Sequence, residues 1–360
     1  MGEEGELRLL VDPLESLYGP LRPPLLIARE LKKFFNITFV SPLVSDDIAE
    51  MLTSEGFEVR SLGARYHFSG SLLTFEAWLK KRKLKEDERY INVNFSQCFL
   101  ANAHIYYAQG PITKALDDMY HEMKKIHKCA YKFVRPFLMR RDESFNKKLR
   151  SLSRLFIANS RFCSCMYRDL GIKVDDVIYP PLDCRRFKPN SSRPSGDYVL
   201  TYFGKETKYS ALKVIADAGV KIKAFGSKAP YIPKPLLEHP NVEFLGGVSD
   251  EELADLYSNA LYTLFTFTHE PFGYVPVESM ACGTPVLTYD KQGPRETVIN
   301  GVTGWLAEND EELVELALVI WRNGYPSWMR ARCRERALEF DVKIIADRWL
   351  EIIKRFAHSI

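Results

Sequence analysis

Several absences narrow what this chain can be. No apolar run approaches the roughly 20 residues a helix needs to cross a bilayer. The seven cysteines, Cys98, Cys129, Cys163, Cys165, Cys184, Cys282 and Cys333, include no C-x-x-C pair. Neither a structural zinc site nor a redox dithiol is therefore suggested. Cys163 and Cys165 are two apart, a spacing that separates them around a helix, and a reduced cytosolic protein is the expectation. His67, His121, His127, His239, His269 and His358 show no metal-ligand spacing, and no Asp-x-Asp pair stands in a loop. The start, Met1-Gly2-Glu3-Glu4-Gly5-Glu6, is acidic where a secretory signal is basic. Internal repeats and low-complexity stretches are missing too.

What is present has the composition of a globular protein. The 360 residues are 46% hydrophobic, a length suited to two domains. Net charge is only +3, but it is uneven, because residues 1–180 carry 28 Lys and Arg against 23 Asp and Glu. The excess concentrates between His121 and Arg154, in Lys124, Lys125, Lys128, Lys132, Arg135, Arg140, Arg141, Lys147, Lys148 and Arg150. Apolar Phe133, Val134, Phe137, Leu138 and Met139 are interleaved there. Such a segment suits either a solvated helical face or peripheral contact with anionic lipid. Nucleic acid is a poor partner, because the stretch matches no known module and the aromatics fall at core spacing.

Short apolar runs alternate with helical patterns from end to end. The runs are Leu7–Val11, Ile37–Val40, Phe57–Arg60, Ile91–Phe95, Ile105–Tyr107 and Leu155–Ala158, then Tyr198–Phe203, Lys221–Phe225, Val242–Leu245, Tyr262–Phe267 and Pro285–Thr288. Between them, segments such as Leu25–Phe35 and Glu251–Ser258 repeat apolar residues at three and four. This alternation predicts an α/β fold of parallel sheets covered by helices on both faces. A Pro-, Ser- and Gly-rich stretch from Tyr179 to Gly196 reads as the linker. It leaves doubly wound domains at 1–180 and 181–340, with a closing helix at 341–360. In that helix Val342, Ile345, Trp349, Ile352, Ile353 and Phe356 share one face. Two such domains place a ligand cleft between them.

The stretch from His269 to Val286, HEPFGYVPVESMACGTPV, carries the chemistry. A helix entered at about Tyr274 offers unpaired amides at Phe272, Gly273 and Tyr274, and its positive dipole end suits a diphosphate. Gly273 lets backbone approach a ligand closely. Glu270 precedes the helix and Glu278 lies about one turn inside it. Eight residues apart, they suit two places on one ligand better than one atom. Each carboxylate accepts well from a vicinal diol.

This stretch resembles the Glu-x7-Glu signature of the retaining GT-B glycosyltransferases of family 4, also called glycosyl transferases group 1. The segment Gly293–Leu306 resembles the family's next block, and so do Ala158–Phe162 and Ile178–Asp183 with Phe187, so the likeness covers roughly residues 155–306. It implies a GT-B fold of two Rossmann-like domains facing across a cleft, with the last helix packing back toward the N-terminal one. The first domain would bind the acceptor and the second the donor. Glu270 would contact the donor sugar, Glu278 the ribose, and the amides after Glu270 the diphosphate. The family's basic pair falls on Lys205, after Gly204, and Lys208, with Lys where Arg is usual and a shorter spacing. Arg would grip phosphate with a planar fork, whereas Lys is a point charge. In the family's first loop only Gly19 remains of a paired glycine. Gln109 stands where relatives carry a His facing the sugar, and His104 lies at the other end of that strand. His269 adjoins Glu270 and is within reach of the site.

The resemblance implies a hexosyltransferase that works with retention and without a protein nucleophile. Lys205, Lys208 and the helix N-terminus would stabilise the departing diphosphate, and domain closure would exclude water. No cofactor or metal is expected. The donor is a UDP- or GDP-sugar such as UDP-glucose or GDP-mannose, and the acceptor a glycan or a lipid-linked glycan. The alternatives are a GT-B isomerase or phosphorylase, and a non-catalytic sugar-nucleotide-binding subunit. The expected setting is glycan biosynthesis in the cytoplasm, with peripheral contact at the inner membrane face through residues 121–154.

Overall fold

The computed structural model describes residues 5–15, 21–84, 89–120, 125–190, 194, 197–226 and 232–357. The chain divides into two compact units. One comprises Met1–Thr113, Val134–Pro181 and Val342–Ile360, and the other Lys114–Phe133 with Leu182–Asp341.

The first unit holds strands β1 (Gly5–Leu10), β2 (Phe35–Ser41), β3 (Glu58–Ser61), β4 (Arg82–Lys83), β5 (Tyr90–Asn94), β6 (Phe99–Leu100), β7 (Ala103–Ala108), β8 (Ser153–Ala158) and β9 (Asp176–Val177). Seven form a parallel sheet in the order β3-β2-β1-β5-β7-β8-β9, and β4 pairs with β6 alone. Leu7, Leu9, Ile91, Val93, Ile105 and Tyr107 lie in one apolar core with the helix Arg22–Leu31 and the last helix, Val342–Ala357. In the last helix Ile345, Trp349, Ile352 and Ile353 are buried, and Trp349 packs on Phe95 and Tyr107 with ring centroids 5.4 and 5.3 Å away. The stripe read from the sequence is the face that docks.

The second unit holds β10 (Val199–Phe203), β11 (Ile222–Gly226), β12 (Val242–Gly246), β13 (Thr263–Phe265), β14 (Val286–Tyr289) and β15 (Gly304–Ala307), parallel in the order β12-β11-β10-β13-β14-β15. All residues of β13 and β14 are buried, as expected of strands covered on both faces. Parallel neighbours require crossovers, and helices supply them. The helix Asp250–Asn259 starts with a full capping box between Ser249 and Glu252.

In both sheets the strand order reverses once, between β1 and β5 and between β10 and β13. Loops leaving the carboxyl ends of such a strand pair diverge and open a crevice.

The eleven apolar runs read from the sequence are all strands. The helix expected over Leu25–Phe35 sits at Arg22–Leu31, because Pro23 and Pro24 start it early and Phe35 opens β2. The stretch read as a linker is packed over its first part. Arg334 donates to the carbonyls of Cys184 and Phe187, and Asn190 to the Asp255 carboxylate. Residues 114–133, early in the chain, belong with the second unit.

Candidate active site

The residues singled out in the second half of the chain gather at that unit's strand-order reversal. The loop after β10 carries Gly204, Lys205 and Lys208, and the loop after β13 carries His269 and Glu270. The two loops are tied together, with the Glu206 carbonyl accepting from the Thr268 amide (2.7 Å) and hydroxyl (3.1 Å) and the Lys208 carbonyl from Thr266 Oγ1 (3.0 Å). Thr207 Oγ1 closes the first turn by accepting from the Gly204 amide at 2.9 Å. A Cβ on Gly204 would meet the far end of the Tyr202 ring at 2.2 Å, so a side chain here requires that ring to move.

Glu270 leads into the helix Tyr274–Ala281, whose first turn is set by Gly273 at φ 94°. Its carboxylate folds onto the helix start and accepts from the amides of Gly273 (3.0 Å) and Phe272 (3.4 Å). Two of the amides that the sequence offers to a diphosphate are therefore engaged by Glu270 itself. Burial, with the Glu206 carboxylate nearby, pushes Glu270 up to about 7, although both amides pull the other way.

Glu278 is buried at 3% exposure and accepts from Tyr257 Oη at 3.0 Å, which fixes its rotamer. Lys205 is half exposed and pairs with Glu206 at 3.1 Å. Lys208 reaches Asp310 at 2.7 Å, where Tyr289 Oη also donates at 2.7 Å. Lys291 joins this group, with its ammonium 4.4 Å from the Tyr289 ring centroid. Burial, then Lys208, lowers the Lys291 ammonium from its ordinary value.

Other residues stand elsewhere. Gly19 and His121 lie outside the described residues. His104 and Gln109 belong to the first unit. His104, near the start of β7, accepts from the Asn92 amide through Nδ1 at 3.1 Å, and Gln109, just beyond the carboxyl end of β7, donates to the Phe95 carbonyl at 3.2 Å. Tyr257, Tyr289, Asp310, Gln292 and Asp118 also stand at the site, outside the motifs of the sequence. Only Gln292 carried a signal, since it directly precedes the block beginning at Gly293.

No group of three or more potential ligands is arranged to hold a metal ion among the described residues. The site sets the cations Lys205, Lys208 and Lys291 among the carboxylates of Glu206, Glu270, Glu278 and Asp310, beside the positive end of a helix, and this polar setting suits an anionic, hydroxyl-rich ligand.

The fold is the GT-B fold. The structure matches HepE from Anabaena, solved in complex with UDP, at a TM-score of 0.70 and 18% identity over 97% of this chain and 100% of that one. It also matches sucrose-phosphate synthase from Thermosynechococcus elongatus, with a TM-score of 0.68 and 15% identity over 99% and 100% of the two chains.

By sequence, residues 235–340 match the family of glycosyl transferases group 1. The chain is 29% identical over 165 residues to D-inositol 3-phosphate glycosyltransferase from Rhodococcus erythropolis, covering 37% of each protein. It is 39% identical over 70 residues to alpha-1,3/1,6-mannosyltransferase ALG2 from Mus musculus, covering 19% of this chain and 17% of that one. Both matches thus span less than half of the relative's length.

Proposed function

We propose that the protein is a retaining glycosyltransferase of family 4 that moves a hexose from a UDP- or GDP-sugar to a glycan or lipid-linked acceptor without a metal. One observation carries this reading: Lys205, Lys208, Glu270 and the helix N-terminus behind Glu270 stand on the two hydrogen-bonded loops that follow β10 and β13, at the strand-order reversal. The match of residues 235–340 to glycosyl transferases group 1 supports it.

In this reading the diphosphate lies toward Lys208 and Lys205, and Glu278 takes the ribose hydroxyls with its rotamer held by Tyr257. Glu270 accepts from the sugar hydroxyls. Negative charge grows on the leaving diphosphate as the sugar bond breaks, and the lysines and the helix dipole lower the cost of that charge. The acceptor hydroxyl attacks from the face the diphosphate leaves, which retains configuration. The lysines supply the countercharge that a metal would otherwise give.

The same proposal includes contact with an anionic membrane. On the helix Lys125–Ser151, Phe133 is 89% and Phe137 64% exposed, and exposed Lys132, Arg140, Lys147 and Lys148 share that helix. Exposed aromatics amid cations suit a lipid surface. No helix among the described residues is long and apolar enough to cross a membrane.

The test is a titration with UDP-glucose, GDP-mannose and related sugar nucleotides, following thermal stabilisation of the wild type and Glu278→Ala. Binding to the native state alone raises stability with ligand concentration. One donor should stabilise the wild type, and the variant should lose most of that shift. No shift with any sugar nucleotide at about millimolar concentration contradicts the reading. Binding without turnover would instead favour a sugar-nucleotide-binding subunit.

A further inference from the structure

The Glu270 backbone is held from both sides by the loop after β14. Its amide donates to Gln292 Oε1 at 2.6 Å, and its carbonyl accepts from the Gly293 amide at 3.0 Å. The fit is close, because a Cβ on Gly293 would lie 2.4 Å from the Pro271 carbonyl oxygen and 2.5 Å from Phe272 N.

Gln292 sits at φ 55°, in the left-handed region that residues other than Gly, Asn and Asp seldom adopt. A conformation of this kind persists when its surroundings hold it. Both ends of the Gln292 amide are engaged. Oε1 takes the Glu270 amide, while Nε2 donates to the Thr268 carbonyl (3.2 Å) and to Asp118 Oδ2 (3.3 Å). The same Asp118 oxygen meets His269 Nδ1 at 2.9 Å, and Lys114 lies 3.3 Å from the other carboxylate oxygen. His269 is buried, so its ring orientation is set by this carboxylate. Asp118 stands on the helix Ile112–Met119, in the early segment that packs with the second unit. Thr268, His269 and Glu270 are thus each fixed by Gln292 or Asp118. A local turn needs no contribution from 151 residues away.

We propose that Gln292 and Asp118 are positioning residues of the donor site, which lock the 268–270 backbone so that the Glu270 carboxylate is aimed at the sugar of the donor. The inference rests on the donor-site reading above. Neither residue touches the reacting atoms. Both act through Glu270, so their loss is felt by the sugar and not by the nucleotide. The glutamine keeps its costly φ because no glycine could make the three side-chain bonds.

Stability and function separate cleanly at this position. Glycine adopts φ 55° without strain, so Gln292→Gly removes the side-chain bonds while relieving the backbone. Asp118→Asn keeps one oxygen able to accept from both His269 and Gln292, whereas Asp118→Ala keeps none.

The experiment is isothermal titration of wild type, Gln292→Gly, Asp118→Asn and Asp118→Ala with UDP-glucose or GDP-mannose, and with UDP or GDP alone, beside thermal unfolding. In Gln292→Gly the Tm should stay within about 2 °C of wild type or rise, and nucleoside diphosphate affinity should hold within about twofold. Sugar-nucleotide affinity should fall about tenfold or more, Asp118→Ala should share that loss, and Asp118→Asn should restore most of it.

Unchanged sugar-nucleotide affinity in Gln292→Gly overturns the inference. Equal losses for nucleotide and sugar nucleotide, with a large fall in Tm, overturn it too, because they describe a merely structural residue. If Gln292→Gly does not fold, the Asp118 pair decides by the same criteria. A wild type that binds no sugar nucleotide overturns the donor-site reading itself, and this inference with it.

Discussion

The carboxylate of Glu270 lies 3.0 Å from the amide of Gly273, bonded to the start of the helix it introduces. An acid in that position feels opposing influences. The amides favour its charge, while burial and the neighbouring Glu206 disfavour it, and the disfavouring side prevails at about 7. Such a group is poised to change state near neutral pH, as site carboxylates often are.

That balance gives a stability prediction with a definite sign. Raised in the folded protein from an ordinary 4.5 to about 7, the Glu270 acid favours folding only while it is protonated. Its contribution is intact below the ordinary value and is lost as pH climbs through about 7. Glu270→Gln should therefore match wild type at acid pH and be the more stable at pH above about 8, by at most about 3 kcal/mol. Denaturant unfolding of both proteins across that range measures the difference, and parallel curves contradict the environment assigned to this residue.

Gly293→Ala probes how closely the two loops fit. The added methyl would overlap Pro271 and Phe272 backbone, so a loss of about 1–3 kcal/mol is expected together with weakened donor binding. Gly247→Ala is the control, since nothing lies within 4 Å of its Cβ position. Unfolding midpoints of the two variants that coincide would refute the fit.

Phe133→Ser with Phe137→Ser tests the membrane contact. Wild type should sediment with phosphatidylglycerol vesicles at low salt, release as salt screens Lys132 and Arg140, and lose the association in the double variant. Wild type that stays in the supernatant at low salt contradicts the contact.

Strands were legible because their apolar runs are continuous, and parallel strands covered on both faces cannot hide that pattern. The two-residue β9 and the short β15 lack it, and β15 begins at a glycine. The Glu270 loop was legible for a local reason, since strand end, glycine and helix start follow one another in sequence. Asp118 was not. Nothing near it in the chain marks it, and its meaning comes from His269 and Gln292, which the fold brings to it. Gln292 is marked only by its place directly before the block at Gly293, because a side chain that bonds a distant amide leaves no spacing to read. Phe133 and Phe137 were read as apolar residues within a basic stretch, while their exposure depended on which helix face finds a partner.

The most direct measurement is slow hydrolytic release of nucleoside diphosphate from UDP-glucose and GDP-mannose by the purified protein, with water taking the sugar in place of the acceptor, compared with Lys208→Met. Wild type should release UDP or GDP from one donor, and the variant should do so about 10- to 1,000-fold more slowly while still unfolding cooperatively. A wild type that releases neither, or a variant that keeps full rate, contradicts a donor site built around Lys208 and Glu270.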